Sequence, residues 1–397
     1  MCSSDLIWFQ TVITVLTCLI LIPFANSFSG KIIKEEGYGM LFVFSSLNLL
    51  FTILPYTIIG LYRLQRKAFA TVTFTVLSSL LTIVLNITFV VILKKGLNGI
   101  FFSTMLSSLI QTIFCFFSMR EWLSISWWDS ELFKKMFRFA LPLIPTSFAY
   151  WITNSSATYF INHFLTKSEV GLFQIASSLA SVMLMITGSF QMAWGPFAYS
   201  IKSDEDSKSV YAKVLMLYSI LTGILIIGFC TFAKPALLIF TTPVYASSFI
   251  AASILAMSFI VIGYGYIASI GLNLAKTNTA IAASIFIASA ITITGFYFLI
   301  PVWGIEGAAV SILAGQLAVP VYSFARAQKR YFIPYDFKTT SLLFITTLLF
   351  CALVIYISAN YRYGIVINCL ILFFFIAAVF FAYRKSAFLL LSKLRQR

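Results

Sequence analysis

SFIAASILAMSFIVIGYGYIASIGLNLA, residues 248–275, runs for 28 residues without one charged side chain. About 20 mostly apolar residues in a helix cross a hydrocarbon core of about 30 Å, so this stretch is long enough to span a membrane. A transmembrane β-strand would show about ten residues of alternating polarity, whereas this run is continuously apolar. With no water nearby, its backbone groups must bond within the segment, which a helix achieves. Gly263, Gly265 and Ala268 formally match the G-x-G-x-x-A dinucleotide fingerprint. No strand precedes them, so packing is the simpler reading.

Eleven further stretches of the same kind are found at 7–28, 38–62, 68–93, 99–119, 139–163, 170–200, 214–233, 280–300, 307–324, 339–358 and 365–383. The expectation is an all-α integral membrane protein with about twelve transmembrane helices. Composition agrees: 60% of the 397 residues are apolar, 10% are charged and the mean hydropathy is +0.98. A soluble domain carries about a quarter charged residues, far more than this chain has to cover a water-facing surface. The first run is not expected to be a cleaved signal peptide, because no Lys or Arg precedes it and no small-residue cleavage site follows.

Five of the six cysteines lie inside apolar runs without C-x-x-C spacing, so no disulfide framework and no metal site is expected. His163 is the only histidine, which rules out sites built from several histidines. No catalytic residue, cofactor or metal is assigned, and no nucleic-acid partner.

The net charge of +15 first suggests an anionic partner, yet the cations divide by side. With both termini on one side, 20 of the 27 Lys and Arg fall there and 7 fall opposite. By the positive-inside rule both termini are expected in the cytoplasm. The longest polar stretch, 120–138, carries Trp122, Trp127 and Trp128 and reads as an interfacial linker. It divides an N-terminal lobe of four helices, 1–119, from a six-helix lobe, 139–325. A terminal helix pair, 326–383, and a basic tail, 384–397, follow.

An ionisable side chain in hydrocarbon is costly and so usually functional. All twelve acids fall in loops or at span edges, which disfavours cation-coupled drug efflux through a buried carboxylate. The spans hold neutral polar groups instead, including Asn86, Gln111, Tyr150, Gln174, Gln191, Asn273 and Gln316. Such groups can bond helix to helix for about 0.6 kcal/mol each, the simpler reading at single positions. The fifth span is denser, with Thr153, Asn154, Ser155, Ser156, Thr158, Tyr159, Asn162 and His163 within eleven residues. No lipid-facing helix tolerates so many polar groups, so that cluster is expected to wall a cavity. Gly307, Ser311 and Gly315 recur every four residues as a close-packing stripe. Pro142, Pro145 and Pro196 are expected to kink or break spans five and six.

Residues 137–181, FRFALPLIPTSFAYWITNSSATYFINHFLTKSEVGLFQIASSLAS, with QMAWGPFAYS at 191–200, resemble the start of the second lobe in the bacterial polysaccharide transporter family. These are the O-antigen and exopolysaccharide flippases of the multidrug/oligosaccharidyl-lipid/polysaccharide exporter superfamily. IGLNLAKTNTA (270–280), VWGIEGAAVSILAGQLA (302–318) and RYFIPYDF (330–337) resemble its later helices, so the likeness covers nearly the whole chain. The resemblance implies two lobes and a terminal pair around a central cavity, and a non-enzymatic carrier of undecaprenyl-pyrophosphate-linked oligosaccharide. It implies a glycan held by Asn154, Tyr159, Asn162, His163, Gln174 and Gln191, and a pyrophosphate met by cations such as Arg138, Lys135 or Lys276. Implied partners are membrane lipids and other polysaccharide assembly proteins. Two departures stand out. Family members often carry an Asp-Arg pair where this chain has Ala157 and Thr158. Only four helices precede the second-lobe motif, where larger members have six, so the chain is expected to begin two helices late. A multidrug or cation antiporter is the alternative, and a polysaccharide polymerase or ligase ranks third because the outer connections are short.

Overall fold

The computed structural model describes residues 2–25, 39–65, 67–119, 131, 134, 137, 141, 143–275, 277–361 and 364–395. The described residues contain no strand. They form α1 (Cys2–Leu21), α2 (Gly39–Leu64), α3 (Ala68–Asn86), α4 (Gly96–Met119), α5 (Leu143–Phe164), α6 (Lys167–Ser200), α7 (Ser207–Phe240), α8 (Phe249–Leu274), α9 (Asn278–Arg330), α10 (Phe337–Asn360) and α11 (Gly364–Arg395). A π-helical turn, Ile87–Ile92, extends α3, and a 3-10 turn, Pro243–Ser248, leads into α8.

α9 has 53 residues and turns back at Gly304, whose φ of 59° and ψ of −136° favour glycine. Its two halves are separate crossings, which makes twelve helical segments among the described residues. Among the described residues nine helices are long and apolar enough to cross a membrane, and Ile7–Leu21 is a shorter apolar helix. α5 is not among the nine although it has 22 residues, because the polar cluster of its second half lowers its hydropathy. The protein is a multi-pass, all-α membrane protein.

The chain divides into two compact units, Met1–Leu141 and Pro142–Arg397. In the first, side chains join the helices one to the next. Cys18 Sγ donates to the Ser46 carbonyl at 3.1 Å between α1 and α2, and Thr112 Oγ1 donates to the Phe51 carbonyl between α4 and α2. Ser103 Oγ donates to Asn86 Oδ1 at 2.5 Å between α4 and α3, and Gln111 Nε2 donates at 2.9 Å to Ser107 Oγ of its own helix, a hydroxyl that also bonds Thr82 of α3 at 2.8 Å. Asn86 and Gln111 therefore serve packing, the simpler of their two readings.

The second unit is organised around α8, the helix with which the sequence reading began. Of its most apolar stretch 72% is buried, against 50% for α7 and 28% for α6. A helix apolar on every side belongs in the middle of a bundle, and α8 is packed by α6, α7 and both halves of α9. Gly263 is the contact that lets α7 approach: a Cβ there would lie 1.9 Å from the Tyr218 hydroxyl. That hydroxyl donates to the Ile260 carbonyl at 2.8 Å. The formal dinucleotide fingerprint is thus a packing notch. Trp194 Nε1 reaches the Tyr266 carbonyl at 3.3 Å from α6, and Tyr211 on α7 donates to the Ala198 carbonyl at 2.6 Å. The two arms of α9 close on each other through the small-residue stripe. A Cβ on Gly315 would meet Thr292 Oγ1 at 1.9 Å, and one on Gly307 the Leu299 carbonyl at 2.2 Å.

Several boundaries differ from expectation. α6 passes through Pro196 without a break, because the surrounding helix supplies enough bonds to tolerate one missing N–H. Pro145 lies in the first turn of α5, where a missing N–H costs nothing, and Pro142 lies outside the described residues. The tail begun at 384 continues α11 as helix to Arg395. Most of 120–138 lies outside the described residues. α10 starts at Asp336, whose carboxylate accepts the Thr339 N–H at 3.0 Å. Bonds from the Thr339 side chain and backbone hold that carboxyl below the usual carboxylate range.

Gly263→Ala is expected to displace the Tyr218 ring and cost about 1–3 kcal/mol, the range for overpacking a close contact. Gly188→Ala, where a Cβ would meet nothing within 4 Å, should leave stability equal or higher. Thermal unfolding of the purified protein in detergent separates the two.

Candidate functional site

α5 has two unlike faces. Ala149, Ala157 and Ile161 are buried. There Ser289 Oγ of α9 donates to the Ala149 carbonyl at 2.8 Å, and Phe160 meets Phe296 at 5.4 Å between ring centroids. Phe148, Trp151, Ser155, Tyr159 and Asn162 are exposed within the unit. Their three- and four-residue spacing puts them in one stripe along the helix.

That stripe changes character along its length. Phe148 and Trp151 stack at 6.1 Å near the start, and the polar positions follow. Tyr159 is 71% exposed and lies parallel to His163, with ring centroids 6.4 Å apart and planes at 6°. His163 in turn meets Phe164 edge-on at 4.9 Å. Gln174 on α6 donates through Nε2 to Thr158 Oγ1 at 3.0 Å, joining the second helix to the cluster.

The structure therefore brings together Tyr159, Asn162, His163 and Gln174. Gln191 is exposed but lies 17 residues beyond Gln174, about 25 Å along α6, so it is not part of the cluster. Asn154 is within α5, and its side chain lies outside the described residues. Arg138, Lys135 and Lys276 also lie outside them. Ala157 is buried and Thr158 bonds Gln174, so the positions that could have held an Asp-Arg pair serve packing here. Carboxamides and hydroxyls offer donors and acceptors without net charge, and flat rings offer stacking surfaces. Such a surface suits a neutral, polyhydroxylated ligand.

A second feature of the same unit is apolar. Val261, Leu317, Pro320, Val321, Phe324 and Phe344 are among the residues lining a cavity of about 410 Å³ between α8, α9 and α10. Among the described residues, no group of three or more His, Cys, Asp or Glu side chains comes together that could hold a metal ion.

One basic residue plays a part the sequence reading missed. Lys234, one residue past the span read at 214–233, lies inside α7 and donates to the Ser358 carbonyl at 2.5 Å. Its ammonium also sits over the Phe249 ring at 5.4 Å, while Asn368 Nδ2 holds Ser358 Oγ at 2.8 Å. The signal was present: the apolar run resumes after Lys234 as PALLIF, residues 235–240.

With that geometry in place, comparison with known proteins is informative. Residues 2–250 match the family model described as "Polysaccharide biosynthesis protein". Among curated proteins, none matches. In fold the chain is similar to the lipid II flippase MurJ in an inward closed conformation, with TM-score 0.72 and 14% identity, covering 97% of this chain and 84% of that one. It is similar also to MATE in the straight conformation, with TM-score 0.65 and 15% identity over 86% of this chain and 78% of that one. A MOP superfamily transporter from Pyrococcus furiosus gives 0.62 and 15%, over 83% and 78%. At these identities the likeness is one of fold.

Lys234→Met keeps the volume and removes the charged hydrogen bond. The expected loss of stability is about 1.5–3 kcal/mol, read from the melting of the purified protein.

Proposed function

The chain belongs to the polysaccharide biosynthesis protein family, and from that premise we propose that it is a flippase for lipid-linked oligosaccharide. It turns undecaprenyl-pyrophosphate-linked repeat units from the cytoplasmic to the outer leaflet of the bacterial cytoplasmic membrane by alternating access. The product feeds a surface polysaccharide such as O-antigen, capsule or exopolysaccharide. The observation that carries this reading is the α5 stripe, where neutral polar groups and exposed rings occupy a membrane-length helix. The glycan contacts are assigned to Asn154, Tyr159, Asn162, His163 and Gln174, with Gln191 farther along α6.

Further support comes from the apolar cavity of about 410 Å³, which suits part of a polyprenyl chain. The shared fold with a lipid II flippase points the same way. The pyrophosphate is assigned to cytoplasmic cations, Arg138, Lys135 or Lys276, consistent with termini placed in the cytoplasm by the 20 to 7 division of positive charge. Membrane lipids and other polysaccharide assembly proteins are the partners this role requires. Translocation needs no bond made or broken, so no catalytic residue is assigned.

The fold shared with MATE transporters favours a second reading, a multidrug or cation antiporter. Acids count against it: Glu169 lies in the first turn of α6, Asp336 caps α10, and Glu306 sits two residues past the bend of α9.

A deletion strain is expected to accumulate lipid-linked repeat units in the cytoplasmic leaflet, and normal surface polysaccharide in that strain would refute the flippase reading. Overexpression should leave dye efflux unchanged; raised efflux favours the antiporter. The double change Asn154→Leu and Tyr159→Leu should preserve membrane insertion and lower polymer export about tenfold, since two hydrogen-bonding groups are lost. Unchanged export would return the cluster to packing.

A further inference from the structure

Six carboxamides in the described helices have a hydrogen-bond partner. Asn86 accepts from Ser103, Gln111 donates to Ser107, Gln174 to Thr158, Asn360 to the Tyr356 carbonyl and Asn368 to Ser358. Gln328 both donates to and accepts from the backbone of Ile333. Two others, without such a partner, lie at one place. Gln316 on the second arm of α9 is only 5% exposed, and its carboxamide has no hydrogen-bond partner among the described residues. Asn273, in the last turn of α8, is likewise without a side-chain partner among them. Both line the same cavity, of about 330 Å³, between α8 and the two arms of α9.

The rest of that lining defines what can enter. Tyr266 and Ser269 follow the face of α8 toward Asn273, and Ile262 and Ile285 contribute apolar wall. Ser269 donates to the Gly265 carbonyl of its own helix at 2.7 Å, so the two carboxamides are the side chains left to recognise a ligand. Each offers an acceptor oxygen and two N–H donors. Among the described residues no charged side chain lines the cavity, so none of them offers a phosphate or a metal cation a counter-charge there. A plain hydrocarbon chain would leave both amides desolvated and unpaired, at a cost of about 1–3 kcal/mol each by the usual measure of buried unsatisfied groups. The volume lies at the low end for small-molecule sites, which run from about 300 to 1,000 Å³. A neutral sugar ring fits all of this: adjacent hydroxyls or an acetamido group meet the two carboxamides, and its C–H face packs on Tyr266 and the isoleucines.

We propose that the cavity between α8 and the two arms of α9 is a second glycan subsite, which takes one uncharged sugar ring through Gln316 and Asn273. It rests on the carrier reading above and extends it: α5 contacts the glycan along its length, and this cavity selects for a neutral residue.

The full-length protein in detergent is titrated with N-acetylglucosamine, glucose and glucuronic acid, with binding followed by saturation-transfer NMR. Saturable binding of a neutral sugar, with glucuronate excluded, is the expected result. Gln316→Met keeps the side-chain shape and should weaken that binding about tenfold, which is the loss of one hydrogen bond plus an unpaired ligand group. Asn273→Leu, at the less buried edge, should do the same and carries the test where Gln316→Met melts early; Gly188→Ala should bind as the native protein does. Absence of neutral-sugar binding to the native chain overturns the proposal, as does binding that survives both substitutions, since the cavity then holds water only or the sugar sits elsewhere. The two readings fail separately. A deletion strain that still accumulates inward-facing lipid-linked units while the protein binds no sugar removes the subsite and keeps the carrier. A strain with normal surface polysaccharide, alongside sugar binding lost in Gln316→Met, keeps the subsite and removes the carrier.

Discussion

In a hydrocarbon solvent, a polar group that finds no partner inside the protein finds none at all, and this constraint arranges the molecule. Helices satisfy the backbone, and many hydroxyls follow suit, though those of Thr146, Thr187 and Ser323 are buried without a partner among the described residues. Thr11, Ser45, Thr75, Thr222, Thr231, Thr292 and Thr347 all donate to the carbonyl four residues earlier. Serine and threonine can thus be placed anywhere in a span and say little about function. A carboxamide is satisfied in more varied ways: Asn86 by a neighbouring helix, Gln111 by a hydroxyl of its own helix, and Asn360 by the carbonyl four residues earlier at a helix end. The carboxamides are therefore the residues whose partners are worth following one by one.

α8 shows how the second unit answers the same constraint with packing. Lipid gives apolar helices no reason to leave it, so close contact and hydrogen bonds must hold the bundle. Gly263 admits the Tyr218 ring, and the hydroxyl of that ring bonds the carbonyl beside the notch it enters. Gly304 turns α9 back on itself, and Gly307, Ser311 and Gly315 close the two arms. Because those arms stand against α8 on either side, the space left between them becomes a cavity rather than a continuous core. Packing in the hub thus leaves a place where two carboxamides without partners among the described residues line one cavity.

Much of this was legible in the chain. Length and continuous apolarity give the helical membrane fold, and the density of polar residues at 153–163 marks α5 as a helix unlike the others. The same density keeps it from counting as an ordinary span. Other features needed coordinates. Asn86, Gln111, Asn273 and Gln316 look alike in sequence as isolated polar residues in apolar runs. Asn86 bonds a neighbouring helix, Gln111 bonds Ser107 of its own helix, and the last two line a cavity, a difference set by what stands beside each side chain. Lys234 reads as lying just past a span until α10 is seen to end beside it. Gln174 and Gln191 share one helix, and only the helical rise shows that they are too far apart to act on one sugar.

Sequence alone determined the class, the crossings and the sign of the residues within them, because burial in hydrocarbon penalises charge at every position regardless of neighbours. Tertiary structure decided which neutral polar groups are spent on packing and which stay available. A hydrogen bond depends on what stands a few ångströms across a helix interface, and helical periodicity fixes the direction of a side chain but not its partner.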